Sequence, residues 1–367
     1  MPTELSLAAA VLTSRIPGEV VGCEELWTEE SSRKRPMDET RYHLRDLVDA
    51  DFPALARIWT RIDPERPTTA EEVASLFQIS DDPRFVRRRR SIVEVASNEV
   101  VANGSLWQSG IVYDPKFAFA AISVDPEHQH RGLGRWLLED LEGAARALGL
   151  EGLRATVRED EPRSVRFFGA AGFREKRRAW VSKLDLNDVP ADLSPRSPDR
   201  WAADGIEFST IQHEGPDRPE VRERLFRLYV EAMKDTPRLG SILADSREWF
   251  EGFVFRGPGY LPDAMFVARA GEAYVSFSLL FRHAAEPDTL HVSFTGTLPA
   301  YRGVGLAGEL KRRSIEYARH HGYRYIETDN DSQNPRIWSI NQKLGFRRFR
   351  VILVGEKDFR TSSPSLS

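Results

Sequence analysis

The residues best suited to do chemistry in this chain sit in two glycine turns. The first reads Pro126-Glu-His-Gln129-His130-Arg131-Gly132-Leu133-Gly134-Arg135; the second reads Pro299-Ala-Tyr-Arg302-Gly303-Val304-Gly305-Leu306-Ala307. Each follows an apolar, β-branched run and opens a long helical pattern. The first four N–H groups of a helix have no intrahelical partner, and the helix dipole adds partial positive charge there. Glycines let the chain wrap successive N–H groups around an anion without interference from Cβ. Strand, turn and helix together make a phosphate cradle. A lone copy would read as a tight turn. Here Pro126 and Pro299, Gly132 and Gly305, Gly149 and Gly322, Arg163 and Arg336, and Gly172 and Gly345 all lie 173 residues apart. Pro126 to Phe173 therefore superimposes on Pro299 to Phe346 without a gap, as an internal duplication requires.

Several phosphate motifs compete for these turns. Neither turn has the lysine and hydroxyl of GxxxxGK[ST]. Gly303-Val304-Gly305-Leu306-Ala307-Gly308 fits GxGxxG, with Glu327 roughly 20 residues on. In the sister copy Arg135 replaces the third glycine, and a proline-led loop precedes each turn where a dinucleotide site wants a tight strand-to-helix turn. The dinucleotide match is a coincidence.

Gln/Arg-x-x-Gly-x-Gly/Ala after a strand, then an apolar helix, then Leu/Ala-Gly-Phe, resembles the GCN5-related N-acetyltransferase (GNAT) family in a tandem, two-domain form. The segments Phe167-Phe168-Gly-Ala-Ala-Gly172-Phe173 and Ile340-Asn341-Gln-Lys-Leu-Gly345-Phe346 look like that family's second helix running into a strand. The resemblance implies an α/β protein of two tandem GNAT-type domains, each a mixed, mostly antiparallel central sheet flanked by helices. It implies acetyl-coenzyme A (acetyl-CoA) as cofactor, up to one molecule per domain, its pyrophosphate held by the turns. The implied cofactor residues are Gln129, His130, Arg131, Gly132, Leu133, Gly134 and Arg135 in the first half, and Arg302, Gly303, Val304, Gly305, Leu306 and Ala307 in the second. The oxyanion donor of this family comes from the splayed strand before the turn, here near Ile122–Val124 or Gly296–Leu298, with Ile122, Val124, Thr297 and Leu298 as the candidates. Phe168, Asn334 and Asn341 stand where the second helix meets the cofactor.

Acetyl transfer to an amine needs proximity, an oxyanion donor, a base for the ammonium proton and, in many enzymes, an acid for the departing thiolate. Many family members place a tyrosine acid five residues before the phenylalanine of Gly-Phe. This chain has Phe168 and Asn341 there; Phe168 can donate nothing, and Asn341 can hydrogen-bond without protonating. His291, an imidazole of the kind that moves protons near neutral pH, and Glu327 and Asp329, alternating on the next strand, are the base candidates. A histidine satisfied at a strand end and a solvated strand end are their plain structural alternatives. The first half offers only Glu159, Asp160 and Glu161 in a loop. Asn330 and Asn334 either orient the acceptor or cap a helix, and Asn334 before Pro335 favours capping. No metal-ligand spacing is expected.

The elements that must position these groups follow from periodicity. Tyr42–Leu47 reads as strand, with Asp51 as N-cap of a helix carrying Phe52, Leu55, Ile58 and Trp59 on one face. Thr69-Ala-Glu-Glu72 has capping-box spacing. Ser91–Ala96 and Val100–Trp107 make a hairpin across Asn98, and Phe117–Val124 follows. Arg87–Arg90 reads as a solvated run before the strand rather than a phosphate contact. Leu133, Leu137, Leu138, Leu141, Ala145 and Leu148 make a helix stripe, Leu153–Val157 a strand, Arg163–Ala171 a second helix stopped at Gly172, and Phe173–Leu186 two strands or a hairpin. The second half repeats this plan: strand 206–210, helices 221–233 and 245–253, strands 265–269, 273–281 and 290–298, helix 306–321, strand 325–329, helix 336–344 and strands 346–356. The expected boundaries are 1–40 (a flexible extension, or an upstream start with Met37 as the true one), 41–186 (first domain), 187–204 (a proline-rich linker), 205–358 (second domain) and 359–367 (tail).

Composition bounds the function. The 367 residues suffice for two cores. A net charge of −4 and a pI near 6.1 leave no electrostatic footprint for nucleic acid or an anionic membrane. The single cysteine, Cys23, excludes an internal disulfide and suits a reducing compartment. There is no run of about 18 apolar residues and the first residues make a poor secretory signal, so a cytoplasmic location is expected. These readings converge on a tandem N-acetyltransferase that moves acetyl to a primary amine of a small molecule or peptide, with the second half as catalyst. Its rival is an acyl-CoA-binding protein in which one or both halves hold the ligand without turnover. A longer acyl group is the other enzymatic alternative. The acceptor and oligomeric state are beyond the sequence.

Overall fold

A computed structural model describes residues 38–79, 84–110, 113–189, 193, 195–197, 199–236, 247–257, 259–282 and 286–360. The expectations for residues 1–37, Cys23 and Met37 among them, for part of the linker and for 361–367 lie outside the described residues. The first half runs β1 (Tyr42–Asp46), α1 (Phe52–Ile62), α2 (Ala70–Ile79), β2 (Arg87–Glu94), β3 (Glu99–Trp107), β4 (Phe117–Val124), α3 (Leu133–Ala147), β5 (Gly152–Arg158), α4 (Pro162–Ala170) and β6 (Arg174–Asp185). After the short α5 (Asp199–Ala202), the second half repeats it: β7 (Ile206–Thr210), α6 (Ile211–Glu214), α7 (Pro219–Met233), α8 (Arg247–Phe255), β8 (Met265–Ala270), β9 (Ala273–Arg282), β10 (Thr289–Thr297), α9 (Leu306–His320), β11 (Tyr325–Asp331), α10 (Pro335–Lys343) and β12 (Arg347–Asp358). Among the described residues no helix is long and apolar enough to cross a membrane.

The strands form one twelve-stranded sheet in the order β1-β2-β3-β4-β5-β12-β6-β11-β10-β9-β8-β7. Its pairs are antiparallel except β4 with β5 and β10 with β11. This is the expected α/β architecture with a mixed, mostly antiparallel sheet. On one face α3 packs on β3, β4 and β5, and α9 packs on β8, β9 and β10. The other face carries α1 and α2 in the first half and α7 and α8 in the second. Apolar periodicity sets these contacts: Leu133, Leu137, Leu141 and Ala145 are buried on one side of α3, and Leu306, Leu310 and Ile315 on α9.

Three local expectations change. Phe173–Leu186, expected as two strands or a hairpin, and the expected strands of 346–356 are instead the single long strands β6 and β12; neither run contains a two-residue hairpin signal such as Asn-Gly or Asp-Gly. Arg87–Arg90 lies inside β2, paired with Trp107 to Gly104. There Arg88 meets Asp140 at 2.8 Å and Arg90 meets Asp46 at 2.5 Å, so the stems cover the sheet while the heads find carboxylates. Asp51 precedes α1 but does not cap it; its carboxylate takes a bidentate Arg45 at 2.6 and 2.7 Å and the Ser91 hydroxyl, an ion pair stronger than a single capping bond. The Thr69–Glu72 capping box is formed reciprocally, at 2.9 and 3.2 Å.

The long strands also cross between the halves. β12, from the second repeat, pairs with β5 over Ile352–Asp358, and β6, from the first repeat, pairs with β11 over Ala179–Asp185. Each repeat therefore completes the sheet of the other. We keep 41–186 and 205–358 as the proposed sequence repeats, although in space each lends its last strand to its neighbour.

Candidate active site

In each half the two parallel strands begin together and then part. β4 pairs with β5 only through Phe117–Phe119, and β10 with β11 only through Thr289–Val292. Beyond those residues the strands diverge, leaving the β10 amides on the β11 side without ladder partners. A bulge at Ser293 marks the start of the second divergence. Both turns sit at the wide end of their divergence and open fifteen-residue helices.

The turns share one backbone geometry. Gly303 and Gly305 are left-handed, with φ of 85° and 94°, and Gly132 repeats this at 83°. Nothing lies within 4 Å of a Cβ built on Gly303 or Gly305, so their conformation and not crowding requires glycine. The sister of Gly303 is His130, which holds the same left-handed conformation at φ 62°. A matching brace fixes both loops: Gln129 Nε2 donates to the Val124 carbonyl at 3.3 Å, and Arg302 Nε to the Thr297 carbonyl at 2.9 Å. Leu133 and Leu306 are buried anchors for their helices. Val304 is exposed, and its carbonyl accepts from Trp201 Nε1 at 3.2 Å. Ala307 is half-buried and Arg135 exposed.

Other expected ligands are engaged elsewhere. Arg131 donates to the Tyr42 hydroxyl and the Glu127 carbonyl, and Arg302 also reaches Asp235. The Leu298 amide is spent on the Val275 carbonyl at 2.9 Å, so it is no oxyanion donor. Asn334 caps α10, its Oδ1 accepting from the Ile337 amide. Phe168 stacks on Phe173 and abuts Gly355, where an added Cβ would lie 2.1 Å from the ring; it is a core residue.

What separates the halves is the lining between diverging strands and cradle helix. In the first half it is one apolar cluster that includes Ile122, Leu138, Leu141, Ala155, Val157 and Phe168, with Val124 and Phe167 packed against it. Phe167 lies across the cradle, within 4 Å of a Cβ built on Gly134. The sister positions in the second half are Thr295, Lys311, Ser314, Thr328, Asn330 and Asn341, with Thr297 for Val124. Here hydroxyls run in a ladder: Ser276 to Thr297 at 2.8 Å, Ser278 to Thr295 at 3.3 Å and Ser278 to Ser314 at 3.5 Å. Asn330 Nδ2 donates to Ser182 and the Thr328 carbonyl, and its Oδ1 accepts from Asn341 Nδ2 at 2.6 Å.

Strand alternation puts the base candidates on the opposite face. His291, Glu327 and Asp329 point toward the α7–α8 layer, and His291 stands opposite Phe281 of that layer's core. His291 Nε2 lies 3.3 Å from Asp329, with both side chains buried. Glu327 is held by Lys183 at 3.1 Å and Arg66 at 3.8 Å; Arg66 also meets Glu286. Burial, then the nearby charge of Glu327, raises the Glu286 carboxyl above its ordinary range. The same face continues into a seam in which Arg350 and Arg158 share Asp63, at 2.7 and 3.3 Å. In the first half the sisters of His291, Glu327 and Asp329 are Ala118, Arg154 and Thr156, which cannot take an ammonium proton.

The chain matches the acetyltransferase (GNAT) family over residues 42–173 and 225–346. It belongs to that family. Mycothiol acetyltransferases are among its relatives: that of Nocardiopsis dassonvillei is 25% identical over 253 residues, covering 61% of this chain and 70% of the relative, and that of Thermobifida fusca is 26% identical over 240 residues, covering 62% and 70%. A tandem GNAT protein from the clavulanic acid biosynthesis pathway superposes with a TM-score of 0.67 at 18% identity, over 88% of this chain and 99% of that one. A GCN5-related N-acetyltransferase from Sphaerobacter thermophilus gives 0.62 at 19% identity, over 87% and 96%. These structures share the fold.

For a GNAT acetyltransferase, the arrangement separates two approaches to one gap. The helix-mouth amides and hydroxyl ladder lie on the α9–α10 face, and the His291–Asp329 pair lies on the other. The periodic glycine signal finds the first set. Arg66, Glu286 and Lys183 come from different elements and carry no sequence signal. Lys311 does carry one: a lysine on an apolar helical stripe, at the sister position of Leu138.

Proposed function

We propose that the protein is an acetyl-CoA-dependent N-acetyltransferase in which the second half carries the reaction. The supporting observation is the contrast between linings: hydroxyls, amides and an imidazole–carboxylate pair in the second half, apolar packing in the first. The amides from Gly303 to Ala307 fit a diphosphate, and Thr295 and Thr297 line the gap below it. Acetyl-CoA supplies an activated acetyl group as a thioester. Unpaired β10 amides on the β11 side are the oxyanion donors, a preorganised arrangement. The acceptor amine enters from the α7–α8 face, and His291, oriented by Asp329, takes its proton. Glu327, neutralised by Lys183 and Arg66, positions the acceptor and is the weaker base candidate. Asn341, bonded to Asn330, does not transfer protons.

A small-molecule amine is the proposed acceptor, in keeping with the name of the mycothiol acetyltransferase relatives, and a cytoplasmic location belongs to the same proposal. Thiol release from acetyl-CoA across a panel of small amines and peptides tests it. Turnover abolished by Gly305→Val, with a native circular dichroism spectrum, supports it; coenzyme A binding without turnover on any amine favours a binding protein. The first half supports that second role locally, because its cradle keeps the same backbone while its lining is closed. Calorimetric stoichiometry of two per chain would show that this cradle still binds; one would leave the second half as the sole site.

A further inference from the structure

The second half lacks the tyrosine that would protonate the leaving sulfur, yet it holds a buried amine the mechanism has not used. Lys311 lies on α9, 1% exposed, and among the described residues its Nζ has no hydrogen-bond partner; its described neighbour is the Phe346 ring, 5.5 Å from Nζ. It is on the stripe of α9 that faces α10. One turn earlier, a Cβ on Gly308 would meet Ile340 at 4.0 Å, and Leu310, Ile315, Ile340 and Phe346 share one core cluster. Helical side chains lean toward the N-terminus, so the amine leans toward the cradle mouth.

A second orphan sits on the facing helix. Asn330 spends its Nδ2 on Ser182 and the Thr328 carbonyl, so its Oδ1 must take the Nδ2 of Asn341. That fixes the Asn341 amide and leaves its Oδ1 fully buried, with no donor among the described residues. One donor and one acceptor, both unpaired, thus flank the polar gap on the cofactor face of the sheet. Buried polar groups normally find partners, and two orphans on one gap point to a ligand that serves both.

We propose that Lys311 is the acid of this active site, donating its ammonium proton to the coenzyme A sulfur, while Asn341 Oδ1 accepts from the same ligand. The inference rests on the acetyl-transfer reading above. The acceptor nitrogen bonds to the acetyl carbonyl carbon, the carbon–sulfur bond breaks, and its electron pair leaves on sulfur. Lys311 protonates that sulfur and becomes a neutral amine; the proton lost by the acceptor nitrogen goes to His291. Release of that proton to solvent and uptake of one by Lys311 restore the starting forms. Burial pushes the Lys311 ammonium down to about 7, which suits a group that must both hold and give a proton near neutrality.

The test uses the full chain with Lys311→Leu, the residue found at the sister position, and with Lys311→Met as the unbranched alternative should the first misfold. Ultraviolet titration of bound coenzyme A reads the thiol directly. In the wild type the bound thiol and the Lys311 amine should titrate as a coupled pair, so the thiol curve should differ from that of the variant by about 1 pH unit or more. With the best amine, kcat should fall by about 100-fold while KM for acetyl-CoA stays within about 3-fold. Unchanged thiol titration together with kcat within about 2-fold would overturn the proposal. So would loss of coenzyme A binding in a folded variant, which would make Lys311 a binding group. If the wild type releases no thiol with any amine, the acetyl-transfer reading itself falls; if it does and the variant matches it, only the role of Lys311 falls.

Discussion

Removing Lys311 should make the apo protein more stable, and the pH dependence of that gain can be worked out. Burial alone lowers its pKa from the ordinary 10.5 to about 7, with no charged group contributing. The folded chain therefore binds fewer protons than the unfolded chain between about pH 7 and 10.5, so this residue makes stability rise with pH across that window. Below pH 7 the penalty is complete. At about 1.4 kcal/mol per pKa unit it amounts to about 5 kcal/mol. Replacing a buried charged group by a well-packed apolar one typically gains about 1–4 kcal/mol, so some of that penalty should be recovered by Lys311→Leu. For a chain of this length the gain corresponds to a rise in Tm of roughly 1–5 °C. Differential scanning calorimetry on wild type and variant from pH 6 to 10 provides the assay. The two Tm curves should be furthest apart at pH 6 and converge toward pH 10. Curves that run parallel, or a variant less stable at pH 6, would show that the amine is compensated in the folded chain and would remove the ground for treating it as a poised acid.

Asp329→Asn should lower kcat by about 100-fold with little change in KM for acetyl-CoA, since it leaves His291 in place without its carboxylate; steady-state kinetics with the best amine check this. Glu327→Gln should act mainly on KM for the acceptor by about 10-fold or less, because Lys183 and Arg66 already neutralise that carboxylate. Arg350→Met should destabilise by about 1–3 kcal/mol in chemical denaturation, because it strips one cation from buried Asp63 and leaves Arg158 as its remaining partner.

How much of this was visible beforehand depends on the range of the signal. The cradles were legible because glycine spacing, helix stripes and the 173-residue offset are all local or periodic. Left-handed Gly132, Gly303 and Gly305 follow directly from that pattern. The Thr69–Glu72 box and the Asn334 cap were legible for the same reason. The role of Leu298 was not: its amide is used by Val275 on the neighbouring strand, a pairing no local pattern reports. Arg87–Arg90 looked solvated because its partners, Asp46 and Asp140, are distant in sequence. The crossing of β6 and β12 was hidden for a deeper reason. Two repeats of one fold offer their last strands nearly equivalent edges, and sequence similarity between repeats cannot say which edge each one takes.

On the proposed reading, that crossing explains how the first half would lack the chemistry and still be needed. Its lining is a closed apolar core, and Ala118, Arg154 and Thr156 stand where a base would have to be. Yet β6 supplies Lys183 to Glu327, Arg177 to Asp331 and Ser182 to Asn330, all on the strand that forms one wall of the reactive gap. Arg66, from the loop after α1, reaches the same carboxylate from above. In return β12 closes the first half against β5 and places Arg350 beside Asp63. The second half on its own would present β11 as a bare edge, with Glu327 stripped of both cations. On the proposed reading, catalysis by the second repeat would require the fold of both, and the first half would serve as a wall of the site whatever its own cradle binds.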